Sequence, residues 1–381
     1  MNFSKLTAYL DSLKETYGLP GLEIQITKDH QIIYRHMTGC SDYEGKVPVS
    51  PTDLYTVYSC TKVMTMTAVM QLVEQGKLSL EDPLEKYIPE FSKIQVAKHY
   101  EMTPPPHKWP PLDTPVIPAT KKIYIHQLMS MTAGLSYDTP SAAKLAMPGT
   151  GTVDVVRAMA GLPLLFEPGE RYMYSLCHDV LAAVVEIVSG MRFSEYLKKN
   201  IFDPLGAEDM YFRVPEEKKD RMVAQCTYET GTVQPSKGLL IQITEDYESG
   251  GGGLICTVGS YSKVIDALAC GGVGANGTRI LSEESIRTMR KNRLDNVQMD
   301  DFRKMEKVGY GYGLGVRTLM DSKASKGPVG EFGWDGAAGA YCVMDPINHI
   351  SIFYAQQVVE MPPAGRYHPI IRDLIYEALE L

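Results

Sequence analysis

The chain has 381 residues, a net charge of −8, and 44% hydrophobic and 22% charged side chains, the balance of a globular protein too long for one small core. The acidic balance and the lack of any Lys/Arg-rich block exclude nucleic acid as a partner, and no apolar stretch reaches the length of a membrane span. Seven cysteines, odd in number and without C-x-x-C spacing, exclude a disulfide framework and a cysteine metal site.

In chain order, residues 1–18 read as an amphipathic helix, with Leu6, Leu10, Leu13 and Tyr17 at helical spacing. This segment lacks the continuous apolar core of a secretory signal, which with the free thiols predicts a cytoplasmic protein. Residues 21–27 alternate polar and apolar side chains as a strand does, 28–30 turn, and 31–37 form the return strand of a hairpin. The apolar run 63–73, closed by Gly76, predicts a helix that starts near Ser59. Residues 92–120 carry Pro104, Pro105, Pro106, Pro110, Pro111, Pro115 and Pro118 around His107 and Trp109. Proline at this density precludes a helix or a central strand, so the segment is expected to be a wall or lid over a site, or a surface excursion. A turn at Glu167-Pro168-Gly169-Glu170 leads to a helix over 176–190, and the glycine run 250–253 leads to a helix over 257–269. Strands are expected at 311–319, 331–334, 340–344 and 349–355, before a final amphipathic helix at 369–379.

Two strand-rich ends thus enclose a helical middle. The simplest packing is an α+β unit spanning 1–381. Residues 1–90 and 231–381 would form an antiparallel sheet lobe flanked by the terminal helices, and 91–230 a mainly helical inserted lobe. A cleft between lobes is a common ligand site.

The candidate chemistry begins at Ser59-Cys60-Thr61-Lys62. Residues three apart share a helix face, so the Ser59 hydroxyl and the Lys62 amine would meet. A serine needs a neighbour to take its proton, and an apolar setting lowers a lysine pKa toward that task. Tyr174 stands at a loop-to-helix junction, where a phenol could share the base role, its phenolate favoured beside a lysine ammonium. Residues 330–339 (GEFGWDGAAG) could bring a main-chain N–H to a developing oxyanion. The run Ser249 to Gly253 lacks the lysine and serine or threonine of a phosphate loop, which excludes nucleotide binding there. The eight histidines form no ligand pair, so no metal or other cofactor is expected. His178, one turn after Tyr174, could border a site, and is otherwise expected to be a surface or a satisfied, hydrogen-bonded histidine.

Taken together, S-x-x-K at Ser59–Lys62, the tyrosine at Tyr174 and W-x-G at Trp334–Gly336 resemble the serine β-lactamase and penicillin-binding superfamily. Residues 76–89, 123–135, 201–206 and 249–257 resemble further family segments, so the likeness runs from about residue 18 to the C-terminus. Within the superfamily the chain is most similar to family VIII carboxylesterases, which implies a class C β-lactamase-like fold. Two departures stand out: Leu176 replaces the amide of the lactamases' Y-x-N, and Asp335 replaces the middle glycine of the esterases' W-G-G, whose Trp334 stands where K-T-G has its lysine. With Asp335 adding negative charge, this predicts disfavour toward anionic substrates.

The resemblance implies that Ser59 forms an acyl-enzyme and that Lys62 and Tyr174 share the base role. It implies an oxyanion hole made of the main-chain N–H groups of Ser59 and Ala337. Trp334, Asp335, Gly336, Trp109 and His178 are the candidate substrate-binding residues. The expected function is a serine hydrolase acting on small carboxylic esters, as esterase or transesterase. The alternatives are a β-lactamase, a D-Ala-D-Ala-type peptidase or D-amino-acid amidase, and a non-catalytic acyl-ligand binder. The expected partner is a small ester or amide; the sequence leaves the oligomeric state open.

Overall fold

The structure is a computed structural model that describes residues 1–99, 108–111, 113–239, 241–305, 307–361 and 364–381. After helix α1 (Ser4–Tyr17), strands β1 (Gly21–Lys28) and β2 (Gln31–Gly39) form the expected hairpin. The other sheet strands come from the far end of the chain: β3 (Tyr310–Tyr312), β4 (Arg317–Leu319), β5 (Phe332–Asp335), β6 (Tyr341–Asp345) and β7 (Ile350–Ala355). They join one antiparallel sheet in the order β3-β4-β5-β6-β7-β1-β2. The seam is the pairing of β7 with β1, from Glu23 opposite Ala355 to Lys28 opposite Ile350.

The period of two along β7 decides what covers each face. Ile350, Ile352 and Tyr354 pack beneath Leu6, Leu10 and Leu13 of α1 and Tyr367, Ile371 and Ile375 of the last helix (Ala364–Leu379). Phe353 and Ala355 point the other way into the main core. There Phe353 stacks on Tyr261 of the helix Val258–Ala269, with ring centroids 4.0 Å apart. Each such fully buried aliphatic side chain contributes about 1.5–3 kcal/mol.

Helix α2 (Thr61–Glu74) is buried on all sides through Leu72. It packs against helix α3 (Cys177–Ser189) and strand β5, between the sheet and the helices of the middle segment. A helix with no solvent face belongs in a core, as its unbroken apolar run predicts.

Two local expectations are corrected, and the proline-rich segment gains detail that the sequence left open. Residues 311–319 are not one strand. Gly315, at φ +76°, turns the chain between β3 and β4, and the Gly313 N–H donates to Val316 O at 2.8 Å. The last helix starts at Ala364, five residues before Pro369. The proline-rich segment contains a strand: Val116–Pro118 pairs with Gln95–Ala97 in a two-stranded ribbon. Such a ribbon consists only of edges, where proline's missing N–H costs least. Pro104, Pro105, Pro106 and His107 lie outside the described residues. All seven cysteines are free. No helix among the described residues is long and apolar enough to cross a membrane.

Candidate active site

Ser59 sits in a single 3₁₀ turn, Tyr58–Cys60, that runs straight into α2. That continuity puts Lys62 one turn below it. The serine is 7% exposed and the lysine fully buried. Lys62 Nζ donates to Ser59 Oγ at 3.2 Å and to the carbonyl oxygen of Gly251 at 2.6 Å. Burial pulls the Lys62 pKa down to about 7, against the raising pull of the Asp179 charge. The amine therefore spends much of its time neutral near physiological pH.

Tyr174 lies just before α3, its ring centroid 4.6 Å from Lys62 Nζ. Its hydroxyl accepts a hydrogen bond from Trp334 Nε1 at 3.0 Å. The structure thus brings Ser59, Lys62, Tyr174 and Trp334 together. The expected phenolate is corrected. Burial pushes the Tyr174 phenol well above its usual value, and hydrogen bonding with Ser59 and Trp334 only partly offsets this. Desolvation disfavours both the phenolate and the ammonium, so the low-energy pair is neutral phenol and neutral amine.

Strand β5 lies against the Ser59 turn. A Cβ on Gly336 would sit 2.3 Å from the Val57 carbonyl oxygen, so glycine permits this close approach. The Gly336 N–H donates to Ala340 O at 2.7 Å and the Gly339 N–H to Gly336 O at 2.9 Å. Ala337 is exposed on this turn, and no acceptor among the described residues takes its N–H.

Asp335 differs from expectation. Its carboxylate pairs with Arg317 Nη1 at 2.6 Å and with Lys307, and these cations hold its pKa below the usual carboxylate range despite burial. Its charge is spent inside the fold, so it does not act as a bare anion repelling substrate. Arg317, 2% exposed, also donates to the Cys342 carbonyl at 3.0 Å.

His178 is also corrected: it is fully buried, not at the surface. Neither ring nitrogen has a hydrogen-bond partner, and burial pushes its pKa well below the usual value, so it is neutral packing behind Lys62. Trp109 is 5% exposed, within the main core. Its main-chain N–H donates to Asp138 Oδ2 at 3.2 Å, next to Tyr137.

Three residues of the site escaped the sequence reading. Tyr137 stacks on Tyr174 with centroids 5.3 Å apart, and lies 5.4 Å from Lys62 Nζ. It hydrogen-bonds with Ser59, and burial raises its pKa. Tyr174 stacks in turn on Trp334 at 5.6 Å, so three rings form one wall. Asp179 is fully buried, and its Oδ1 accepts from Tyr247 and Ser249 at 2.6 Å each. Gly251 completes this floor. A Cβ there would stand 2.5 Å from Asp179 Oδ2 and 3.5 Å from Lys62 Nζ. The available signals were an acid inside the apolar run of α3 and a glycine run with no ligand to explain it.

Metal-ligand chemistry gathers at one place among the described residues, where His30, Asp266 and Cys270 lie within 4.8 Å of one another. His30 Nδ1 and Asp266 Oδ2 already make a direct 2.7 Å hydrogen bond with each other.

A sequence model of the Beta-lactamase family matches residues 6–376. Esterase EstB of Burkholderia gladioli is 26% identical over 98% of this chain and 95% of its own. Among solved structures, EstCE1, described as a hydrolase with promiscuous acyltransferase activity, superposes with a TM-score of 0.81 at 23% identity, covering 98% of both chains. A family VIII carboxylesterase superposes with a TM-score of 0.73 at 20% identity, over 99% of this chain and 97% of that one.

Proposed function

The chain belongs to the β-lactamase family, and from that premise we propose that it is a serine hydrolase acting through an acyl-enzyme on small carboxylic esters. One observation carries the reading: Lys62 Nζ stands 3.2 Å from Ser59 Oγ, buried beneath the Tyr174 ring.

In the proposed reaction neutral Lys62 takes the Ser59 proton as Oγ attacks the ester carbonyl. The N–H groups of Ser59 and Ala337 face the oxyanion; such a donor is typically worth about 3 kcal/mol of barrier. The bond to the leaving alcohol breaks, and that alcohol takes a proton passed from Lys62 through the neutral Tyr174 hydroxyl. Water, or a second alcohol in transesterification, then attacks the acyl-serine and regenerates Ser59. Trp334 and Trp109 are proposed as apolar walls for the substrate.

Preference for esters over β-lactams now rests on Trp334 alone, an uncharged group in the place of the K-T-G lysine. Asp335 drops out because Arg317 and Lys307 neutralise it. Esterase activity in the EstB relative and acyl transfer in the EstCE1 neighbour support the acyl-ester reading.

The test is Ser59→Ala against a panel of short p-nitrophenyl esters and a chromogenic cephalosporin. Ester turnover should fall by at least about a thousandfold with the thermal transition retained. Wild-type turnover in that variant would remove Ser59 as nucleophile, and lactam turnover equal to the ester value would remove the substrate class.

A further inference from the structure

Tyr58, the residue before Ser59, has φ +44°. This left-handed conformation is disfavoured for any side chain with a Cβ, and bulky residues adopt it only where surrounding structure enforces it. The enforcing contacts are on both ends of the side chain. The phenol donates to Gln225 Oε1 at 3.1 Å and accepts from the Leu239 N–H at 3.2 Å. Gln225 is itself tied to the strand that leads into the serine, its Nε2 donating to Thr56 Oγ1 at 3.0 Å. Gly238, at φ +73°, leaves no space beside the hydroxyl: a Cβ there would stand 2.4 Å from it. The ring packs in a small separate cluster with Ala338 and Val359.

That cluster joins the two halves of the proposed oxyanion site. Tyr58 is covalently next to Ser59, and Ala338 is covalently next to Ala337. On its other side the ring faces a cavity of about 290 Å³, lined also by Phe212, Leu239, Ile241 and Tyr247. Core packing therefore does not grip the ring there, and the two hydrogen bonds of the phenol must.

We propose that Tyr58 is a positioning residue: its anchored phenol holds the strained backbone that keeps the Ser59 and Ala337 N–H groups aimed at one point. This rests on the reading of Ser59 as nucleophile. The residue touches no substrate; it acts through the geometry of its neighbours.

The experiment compares wild type with Tyr58→Phe, Tyr58→Ala and Tyr58→Gly. The readouts are kcat and KM on a p-nitrophenyl ester, the rate at which a fluorophosphonate probe labels Ser59, and the melting temperature. Tyr58→Phe should lower kcat and labelling by about tenfold, with KM within about twofold, as expected when an oxyanion donor is misaimed rather than removed. Tyr58→Ala should lose more, because it keeps the strain and loses the anchor. Tyr58→Gly should recover about fivefold over alanine in kcat and labelling, and melt no lower than alanine, because glycine adopts φ +44° freely. A merely structural tyrosine would give no glycine rescue. Equal loss in Ala and Gly, or a Phe variant indistinguishable from wild type, overturns the inference. If the alanine protein does not fold, Gln225→Met carries the test, with lowered kcat at constant KM expected and unchanged kcat refuting. Failure of wild-type Ser59 to label at all would instead defeat the proposed function.

Discussion

Lys62 carries the site's most consequential single property, a pKa of about 7 produced by complete burial. The neutral amine is the competent base, so kcat/KM on an uncharged ester should rise with pH, reach half its plateau near pH 7, and stay flat above. A profile flat down to pH 5 would show that another group takes the proton. The same shift predicts a stability effect. Between about 7 and 10.5 the unfolded lysine holds a proton that the folded one does not, so this group's contribution to stability rises with pH across that window. Lys62→Met should therefore be inactive yet more stable than wild type below pH 7. The gap should shrink as pH rises toward the unfolded value, as thermal melts at pH 6, 8 and 10 would show.

Strand β5 does two jobs as an element. Its buried face supplies Trp334 to the aromatic wall, and its end turns at Gly336 with Ala337 exposed. Close approach to Val57 is what makes the turn part of the site. Gly336→Ala should force the strand away from the Ser59 turn, destabilising by about 1–3 kcal/mol as overpacking does. The kcat should fall more than KM rises, measured by denaturant unfolding and ester kinetics side by side. Asp335 anchors the same strand. Asp335→Ala would leave Arg317 buried without its closest counter-charge, a change that typically costs about 3–5 kcal/mol. The melting temperature should drop sharply, whereas a charge meant only for substrate would leave it unmoved.

At the scale of the whole molecule, the two chain ends are one structure. The β7–β1 pairing closes the sheet, and α1 and the last helix cover one face together. Deleting residues 364–381 would strip Tyr367, Ile371, Ile375 and Tyr376 from that face. The shortened chain is expected to lose its cooperative thermal transition, even though Ser59, Lys62 and Tyr174 all remain. Retained cooperativity would mean the helix is an accessory rather than half of a core. The sheet, in turn, is the platform that presents β5 to the Ser59 turn, so active-site geometry and closure of the termini stand or fall together.

Much of this was legible in the linear order, because its causes are local. Period-two alternation marked the β1–β2 hairpin, and an unbroken apolar run marked α2 as buried. A three-residue spacing on one helix put Ser59 and Lys62 face to face. The joint motifs pointed to the family and its α+β fold. Tertiary structure alone decided the electrostatics. Tyr174 is a neutral phenol, Asp335 is neutralised by Arg317 and Lys307, His178 is sealed behind Lys62, and Tyr137, Asp179 and Gly251 complete the site. Charge and desolvation depend on distances through space, and residues 78 to 276 positions from Ser59 announce nothing of those distances in their own neighbourhoods.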